Sequence, residues 1–235
     1  MSDGSFVSPA ARARVRALAV PIAVGLGRLG LTPNGLTVIG FAIGLLAALA
    51  AAGQLWILAG LLVVFGGVFD LFDGALARAT GRVSAFGGFL DSTLDRWGES
   101  LIYVGVIAGC LGVFNDGAVL AALAVTSASL VTYTRARAEA AGLHGEVGIA
   151  PRSERLAVLA VGLVITGLAG GVGPYVGLRP GDWISLPGDH RLVITSGQPW
   201  LALALAIVFV TSTITVIQRI WHVRGQAPGA GEPRR

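Results

Sequence analysis

Four aspartates stand at the borders of two apolar stretches: Asp70 and Asp73 in Asp70-Leu71-Phe72-Asp73-Gly74-Ala75-Leu76-Ala77-Arg78, and Asp91 and Asp95 in Gly87-Gly88-Phe89-Leu90-Asp91-Ser92-Thr93-Leu94-Asp95. An unpaired charge at the centre of an apolar membrane helix costs about 2.5–3.5 kcal/mol on insertion scales, so acids kept in such stretches mark a functional site. Asp70 and Asp73 are spaced i,i+3 and Asp91 and Asp95 i,i+4, which puts each pair on one helix face. The short connection 80–85 makes the two helices antiparallel neighbours, so that both pairs surround one space. Carboxylates gathered in this way repel one another unless cations lie between them. Hard oxygen donors favour Mg2+ or Mn2+ over zinc. Two such ions about 3.5–4 Å apart, bridged by carboxylates, suit displacement at a phosphoryl group. Gly74, Ala77, Gly87 and Gly88 keep the surroundings small, leaving room for a bulky ligand against the backbone. Arg78, one turn beyond Asp73-Gly74, can reach a phosphate or a base. Two other uses of the acids stay open: boundary salt bridges to Arg78, Arg82 and Arg96, and an ion-coupled transporter. The latter more naturally sets its acids near the bilayer midplane on broken helices, away from arginines.

A second constellation is cationic. All 17 Lys+Arg residues are arginines, which keep their charge and grip phosphate with a two-pronged fork. Tyr133-Thr134-Arg135-Ala136-Arg137-Ala138-Glu139 closes one apolar stretch, Arg152-Ser153-Glu154-Arg155-Leu156 opens the next, and Arg219 lies near the end of the last. Arg135, Arg155 and Arg219, with Arg137 close by, can converge on a phosphate dianion. The plainer use of these arginines, Arg152 included, is to snorkel to lipid headgroups.

The elements that must position these groups are membrane helices. The chain of 235 residues is 54% hydrophobic and 13% charged, with a mean hydropathy of +0.76, whereas a soluble domain carries about 25% charged residues. Lipid is the natural solvent for so much apolar surface. A basic membrane protein meets anionic lipid or phosphorylated substrates rather than nucleic acid. The single cysteine, Cys110, excludes an intrachain disulfide and a cysteine zinc site, and no cleavable signal pattern precedes the first apolar stretch.

Six stretches near the ~20 residues that cross a hydrocarbon core cover about 34–53, 56–79, 86–112, 117–141, 154–173 and 199–222. Before them, over 8–29, Arg12, Arg14, Arg16 and Arg28 alternate with Val15, Leu18, Ala19, Ile22 and Leu26, the pattern of a helix lying in the membrane interface. The predicted fold is therefore all-α and integral to the membrane: six transmembrane helices preceded by an N-terminal amphipathic interfacial helix, in one domain over 1–225. Thr32 or Asn34 caps the first span. The arginine distribution puts both termini and the acidic cluster on the cytoplasmic face of the cell membrane. The loop 174–199 then lies outside, with two short strands around Pro187-Gly188-Asp189, and 226–235 forms a disordered cytoplasmic tail.

The run Asp70-x2-Asp73-Gly74-x2-Ala77-Arg78-x8-Gly87-x3-Asp91-x3-Asp95 resembles, at all its fixed positions, the signature of the CDP-alcohol phosphotransferase family. The resemblance implies that Asp70, Asp73 and Asp91 hold one Mg2+ (or Mn2+) and Asp70, Asp91 and Asp95 a second. It also implies that Asp95 is the base that takes the proton of the acceptor hydroxyl. Asn34, Thr37, Gly74, Arg78 and Ser84 match positions that contact the CDP donor, although Thr37 and Ser84 also suit ordinary caps or helix hydrogen bonds. The run Arg135 to Leu143, with Arg155 after it, is similar to the branch that accepts inositol phosphate. That similarity implies CDP-diacylglycerol as donor and 1D-myo-inositol 3-phosphate as acceptor, with glycerol 3-phosphate or another alcohol as the alternative. Arg135 stands where bacterial members of that branch often carry lysine, and Trp97-Gly98-Glu99-Ser100 departs from the smaller run expected after Asp95. A homodimer in the bilayer is implied as well.

Overall fold

A computed structural model of the chain describes residues 9–173 and 197–226, with side chains from residue 18 onward. The described residues form seven helices: α1 (Pro9–Arg28), α2 (Pro33–Ala52), α3 (Trp56–Ala79), α4 (Ala85–Cys110), α5 (Asn115–Ala140), α6 (Arg152–Leu168) and α7 (Gln198–Gln226). The side chains of Arg12, Arg14, Arg16 and Val15, the two strands expected around Pro187 and the tail from 227 lie outside the described residues.

The helix starts follow local chemistry. Thr32 caps α2, its Oγ1 accepting from the Gly35 amide at 3.1 Å, and Pro33 fills the first turn, where no amide is needed. Ser84 caps α4 in the same way, accepting from the Gly87 amide at 3.0 Å. Between α3 and α4, Gly81 adopts φ +66°, a left-handed turn that suits glycine; the two acid-bearing helices then pack on α2, which lies against both, rather than on each other as the short connection suggests.

Helix packing closes a ring. α2 lies against both α3 and α4, α4 against α5, α5 against α7, α7 against α6 and α6 against α3, while α1 rests on the outside of α3. The core is built largely of alanines, among them Ala47, Ala51, Ala59, Ala121, Ala124 and Ala160, filled out by Tyr103, Leu159, Leu163, Leu201 and Leu205. Small residues let helix backbones approach closely. The closest approach is at α2 and α4, where a Cβ on Gly105 would lie 2.1 Å from the Ala48 carbonyl oxygen. On α1, Ala19, Ala23 and Leu26 pack against Phe72 and Leu76 of α3, while Leu18 and Ile22 point outward.

Leu46, Leu49, Leu61, Phe65, Val104, Leu203 and Ile217 are exposed on the outer faces. Such surface is unfavourable in water but matched to acyl chains. α2, α3, α5 and α7 are long and apolar enough to cross a membrane, and the chain is a membrane protein. α4 carries Asp91, Asp95 and Arg96 in its first half and Glu99 near its middle, and α6 is 17 residues long, which separates them from that set.

One buried ion pair joins α4 to α6. Arg155 is 2% exposed and Glu99 5%. Arg155 Nε donates to Glu99 Oε1 at 2.9 Å and its Nη2 to Oε2 at 2.8 Å, while Nη1 donates to the Ala150 carbonyl at 2.9 Å. Removing one partner of such a pair leaves a buried charge without compensation, whereas removing both need not.

Two stability outcomes follow from this packing. Gly105→Val is expected to lower stability by about 1–3 kcal/mol through overpacking, whereas Gly25→Ala, whose Cβ meets nothing within 4 Å, changes it by about 0.5 kcal/mol or less. Arg155→Met and Glu99→Gln alone each cost about 3–5 kcal/mol, and the double variant recovers most of that loss. Thermal unfolding in detergent reads both sets; additive losses in the double variant would show that the pair does not act as a unit.

Candidate active site

α3 contributes Asp70 and Asp73, and α4 contributes Asp91 and Asp95 one turn apart, with Glu99 one further turn along the same face. The four aspartates feel one another electrostatically: Asp95 is repelled by Asp70, Asp91 and Asp73, and Asp73 by Asp91 and Asp70. Spacing fixes the helix face of each pair, and α2, packed against both α3 and α4, rather than a direct α3–α4 contact, brings the two pairs into one place.

Each acid is held differently. Asp73 is 5% exposed; its Oδ1 accepts from the Gly74 amide, and its Oδ2 lies 2.7 Å from Thr37 Oγ1. The Thr37 hydroxyl is also 3.2 Å from the Pro33 carbonyl. It has one proton to give, and the shorter, charged acceptor takes it. Asp70 and Asp95 share a cation: Arg152 Nη1 lies 2.7 Å from Asp70 Oδ2 and 2.9 Å from Asp95 Oδ2. Asp91 feels Arg152 and Arg96 more remotely. α2 passes this close to α3 because residue 40 is glycine; a Cβ there would meet Asp70 Oδ1 at 3.0 Å.

Among the described residues no three His, Cys, Asp or Glu side chains converge tightly enough to hold an ion as they stand. The donor set nevertheless fits a hard divalent cation. It is all carboxylate oxygen, and a guanidinium already sits between two of its members as a stand-in positive charge. Asp70, Asp73, Asp91 and Asp95 are the residues that would hold such ions.

Two recesses flank the acids. A cleft of about 270 Å3 at the ends of α2, α3 and α4 is lined by Asn34, Thr37, Gly74, Arg78 and Ser84, together with Asp73 and Asp91. All five residues expected to contact a CDP group thus share one wall-to-wall space with two of the acids. Ser84 in addition serves as the α4 cap, and Thr37 as the partner of Asp73. The second recess, much narrower, runs inward beside Asp70, Asp95, Glu99 and Arg152, and Thr37 borders both.

The arginines expected to bind an acceptor phosphate are brought together in part. Arg219 feels the charges of Arg135 and Arg155, so these three share one electrostatic neighbourhood. Each has partners there. Arg135 bonds Glu139 at 2.8 Å and also Glu146. Arg155 is filled by Glu99. Arg219, 8% exposed, donates to the Val147 carbonyl at 2.8 Å and to the Val131 carbonyl. Arg137 is exposed and turns to a cleft of about 400 Å3 between the ends of α5 and α7, which Arg219 and Arg224 also line. The residues that sequence reasoning left out of the site are Glu99 and Arg152. The signal for Glu99 was its place four residues beyond Asp95, continuing the Asp91–Asp95 row. For Arg152 it was a charge in the first turn of α6, where the helix dipole disfavours a cation.

Comparison with known proteins agrees with this geometry. The family model described as CDP-alcohol phosphatidyltransferase matches residues 30–208. The archaetidylinositol phosphate synthase of Pyrococcus horikoshii is 43% identical over 148 residues, which are 63% of this chain and 77% of that protein. The phosphatidylinositol phosphate synthase of Mycolicibacterium smegmatis is 34% identical over 227 residues, 94% and 90% of the two chains. Among solved structures, the phosphatidylinositol phosphate synthase of Mycobacterium tuberculosis with CDP-DAG bound matches with a TM-score of 0.73 at 27% identity, covering 93% of this chain and 99% of that one. The same enzyme in complex with manganese and citrate matches with a TM-score of 0.73 at 28% identity, over 92% and 93% of the two chains. The chain belongs to the CDP-alcohol phosphatidyltransferase family and is an enzyme of that class.

Proposed function

We propose that the protein transfers the phosphatidyl group of CDP-diacylglycerol to 1D-myo-inositol 3-phosphate, giving phosphatidylinositol phosphate and CMP. The observation that carries this reading is the cleft that unites Asn34, Thr37, Gly74, Arg78 and Ser84 with Asp73 and Asp91. The cleft has the volume and chemistry for a phosphorylated nucleotide, and a solved relative binds CDP-DAG. The names of the relatives at 43% and 34% identity support inositol phosphate over other alcohols.

In this reading Asp70, Asp73 and Asp91 hold one Mg2+ and Asp70, Asp91 and Asp95 another, with Mn2+ able to replace it. When bound, the ions supply charge neutralisation for the pyrophosphate and the departing CMP. Thr37 and the Gly74 amide hold Asp73 still, so that its carboxylate stays aimed at the cleft. Arg78 lies along the cleft wall to meet the donor phosphates. Asp95, bordering the inner recess, takes the proton of the acceptor hydroxyl as that oxygen forms its bond to the lipid-bearing phosphorus. The bond to CMP breaks, and CMP leaves with the electron pair. Arg135, Arg155, Arg219 and Arg137 supply the positive field for the acceptor phosphate. Arg135 is the readiest to form a direct contact, because its pairs with Glu139 and Glu146 are solvent-exposed and cheap to exchange.

The same reading sets the protein in the cell membrane as six spans preceded by an interfacial α1, in one domain over 1–225. α4 is 26 residues, about 39 Å of helix at 1.5 Å per residue, and no acid follows Glu99 in it, so its last eleven residues are uncharged. The arginine bias supports cytoplasmic termini and a cytoplasmic site. A homodimer follows from the family resemblance.

Purified protein with labelled CDP-diacylglycerol, Mg2+ and a panel of acceptors tests the reaction. Inositol 3-phosphate is expected to release CMP; release with glycerol 3-phosphate alone would move the enzyme to that alternative, and failure of every acceptor to release CMP would end the reading. Asp95→Asn is expected to slow CMP release by about a hundredfold to ten-thousandfold, the range for loss of a general base. Chelation with EDTA should abolish release, and added Mg2+ or Mn2+ should restore it.

A further inference from the structure

Arg152 occupies a position that the donor chemistry of the site does not explain. It is the first residue of α6, where the helix dipole disfavours a positive charge. Its Nη1 nevertheless reaches Asp70 of α3 and Asp95 of α4 together. These are two of the acids assigned above to the metal ions, so a guanidinium and a divalent cation cannot both have them. Its Nε is buried and has no hydrogen-bond partner. That nitrogen lies 3.9 Å from Glu99 Oε2, an oxygen already taken by Arg155 at 2.8 Å. The arm is thus well bonded at its tip and unsatisfied along its stem, and a small rotation toward Glu99 would exchange one for the other.

We propose that Arg152 is the resident counter-cation of the acidic site, competing with the divalent metal for Asp70 and Asp95 and turning toward Glu99 when the metal arrives. The inference rests on the metal reading given under Proposed function. In the metal-free protein the guanidinium offsets the mutual repulsion of the carboxylates and ties α6 to α3 and α4. It thereby keeps the site assembled, and it sets a threshold that the metal must exceed. One nitrogen makes both contacts, so a lysine ammonium can reproduce the competition, whereas a neutral side chain cannot.

The test is Mn2+ binding to the full-length protein in detergent without substrate, read from the electron paramagnetic resonance signal of free Mn2+. Arg152→Gln is expected to bind Mn2+ about tenfold more tightly, the scale of one charge-assisted hydrogen bond lost from the competitor. Arg152→Lys should stay within about threefold of the wild type. Arg96→Gln is the charge-matched control: Arg96 acts on Asp91 through space but donates to the Ser92 carbonyl rather than to a carboxylate. It should change the affinity by about twofold or less. Metal-free Arg152→Gln should also unfold at a lower temperature than the wild type, with saturating Mn2+ removing the difference. Equal Mn2+ affinity in Arg152→Gln and wild type, or equal tightening in Arg96→Gln, would overturn the competition while leaving the metal reading intact. If the wild-type protein binds no Mn2+, the metal reading itself fails and this inference falls with it.

Discussion

Mutual repulsion among Asp70, Asp73, Asp91 and Asp95 is the constraint that the surrounding structure has to meet. Within a helical bundle that faces lipid, charges of one sign cannot be left to water alone. The protein answers acid by acid. Asp73 receives a hydroxyl and an amide, Asp70 and Asp95 share Arg152, and Glu99, deeper along the same α4 face, is closed off by Arg155. Thr37 comes from α2 and both arginines from α6, so meeting the constraint also fixes how α2, α3, α4 and α6 stand relative to one another. The charge problem and the fold are solved by the same contacts.

Close helix approach is what makes the solution available. Thr37 reaches Asp73 because α2 runs tightly along α3, and Gly40 is where Asp70 would otherwise collide with a side chain. Farther from the acids, α2 and α4 touch backbone to backbone at Gly105 and Ala48. Membrane helices gain nothing from hiding apolar groups from lipid, so fit between small residues and polar contacts have to hold them. Here the small-residue seam supplies the fit along α2, and the charged contacts supply the cross-links at the end where the site opens.

Much of this was legible in the sequence. Asp70, Asp73, Asp91 and Asp95 could be grouped because their spacing fixes a helix face and the short connection at 80–85 keeps the two helix ends close, although α2, lying against both helices, takes the place of the direct α3–α4 packing expected. The five residues expected to contact the donor could be named from the family resemblance, and they line one cleft. Capping by Thr32 followed from a hydroxyl standing before Pro33. What stayed hidden were pairings between distant helices. Arg155 was read as free to grip a phosphate, yet its fork is filled by Glu99, 56 positions away. Arg219 was read in the same way and instead donates to two backbone carbonyls. Residue type and local spacing say that an arginine seeks acceptors; only the packing says which acceptor it meets first.

That distinction bears on how one site can serve a cation and an anion at once. In the proposed reaction the metals would need uncompensated carboxylate on α3 and α4, and the acceptor phosphate uncompensated guanidinium from α5, α6 and α7. Left alone, the two sets would neutralise one another, and Arg152 on Asp70 and Asp95 is that neutralisation in progress. Glu99 works against its completion. It takes Nε and Nη2 of Arg155 deep in the bundle, and among the described residues Arg152 is the guanidinium bonded to Asp70 and Asp95. Arg219, held by neutral carbonyls, keeps its full charge and its distance. The buried Glu99–Arg155 pair therefore neutralises itself between α4 and α6, and Arg152 is the guanidinium that reaches Asp70 and Asp95.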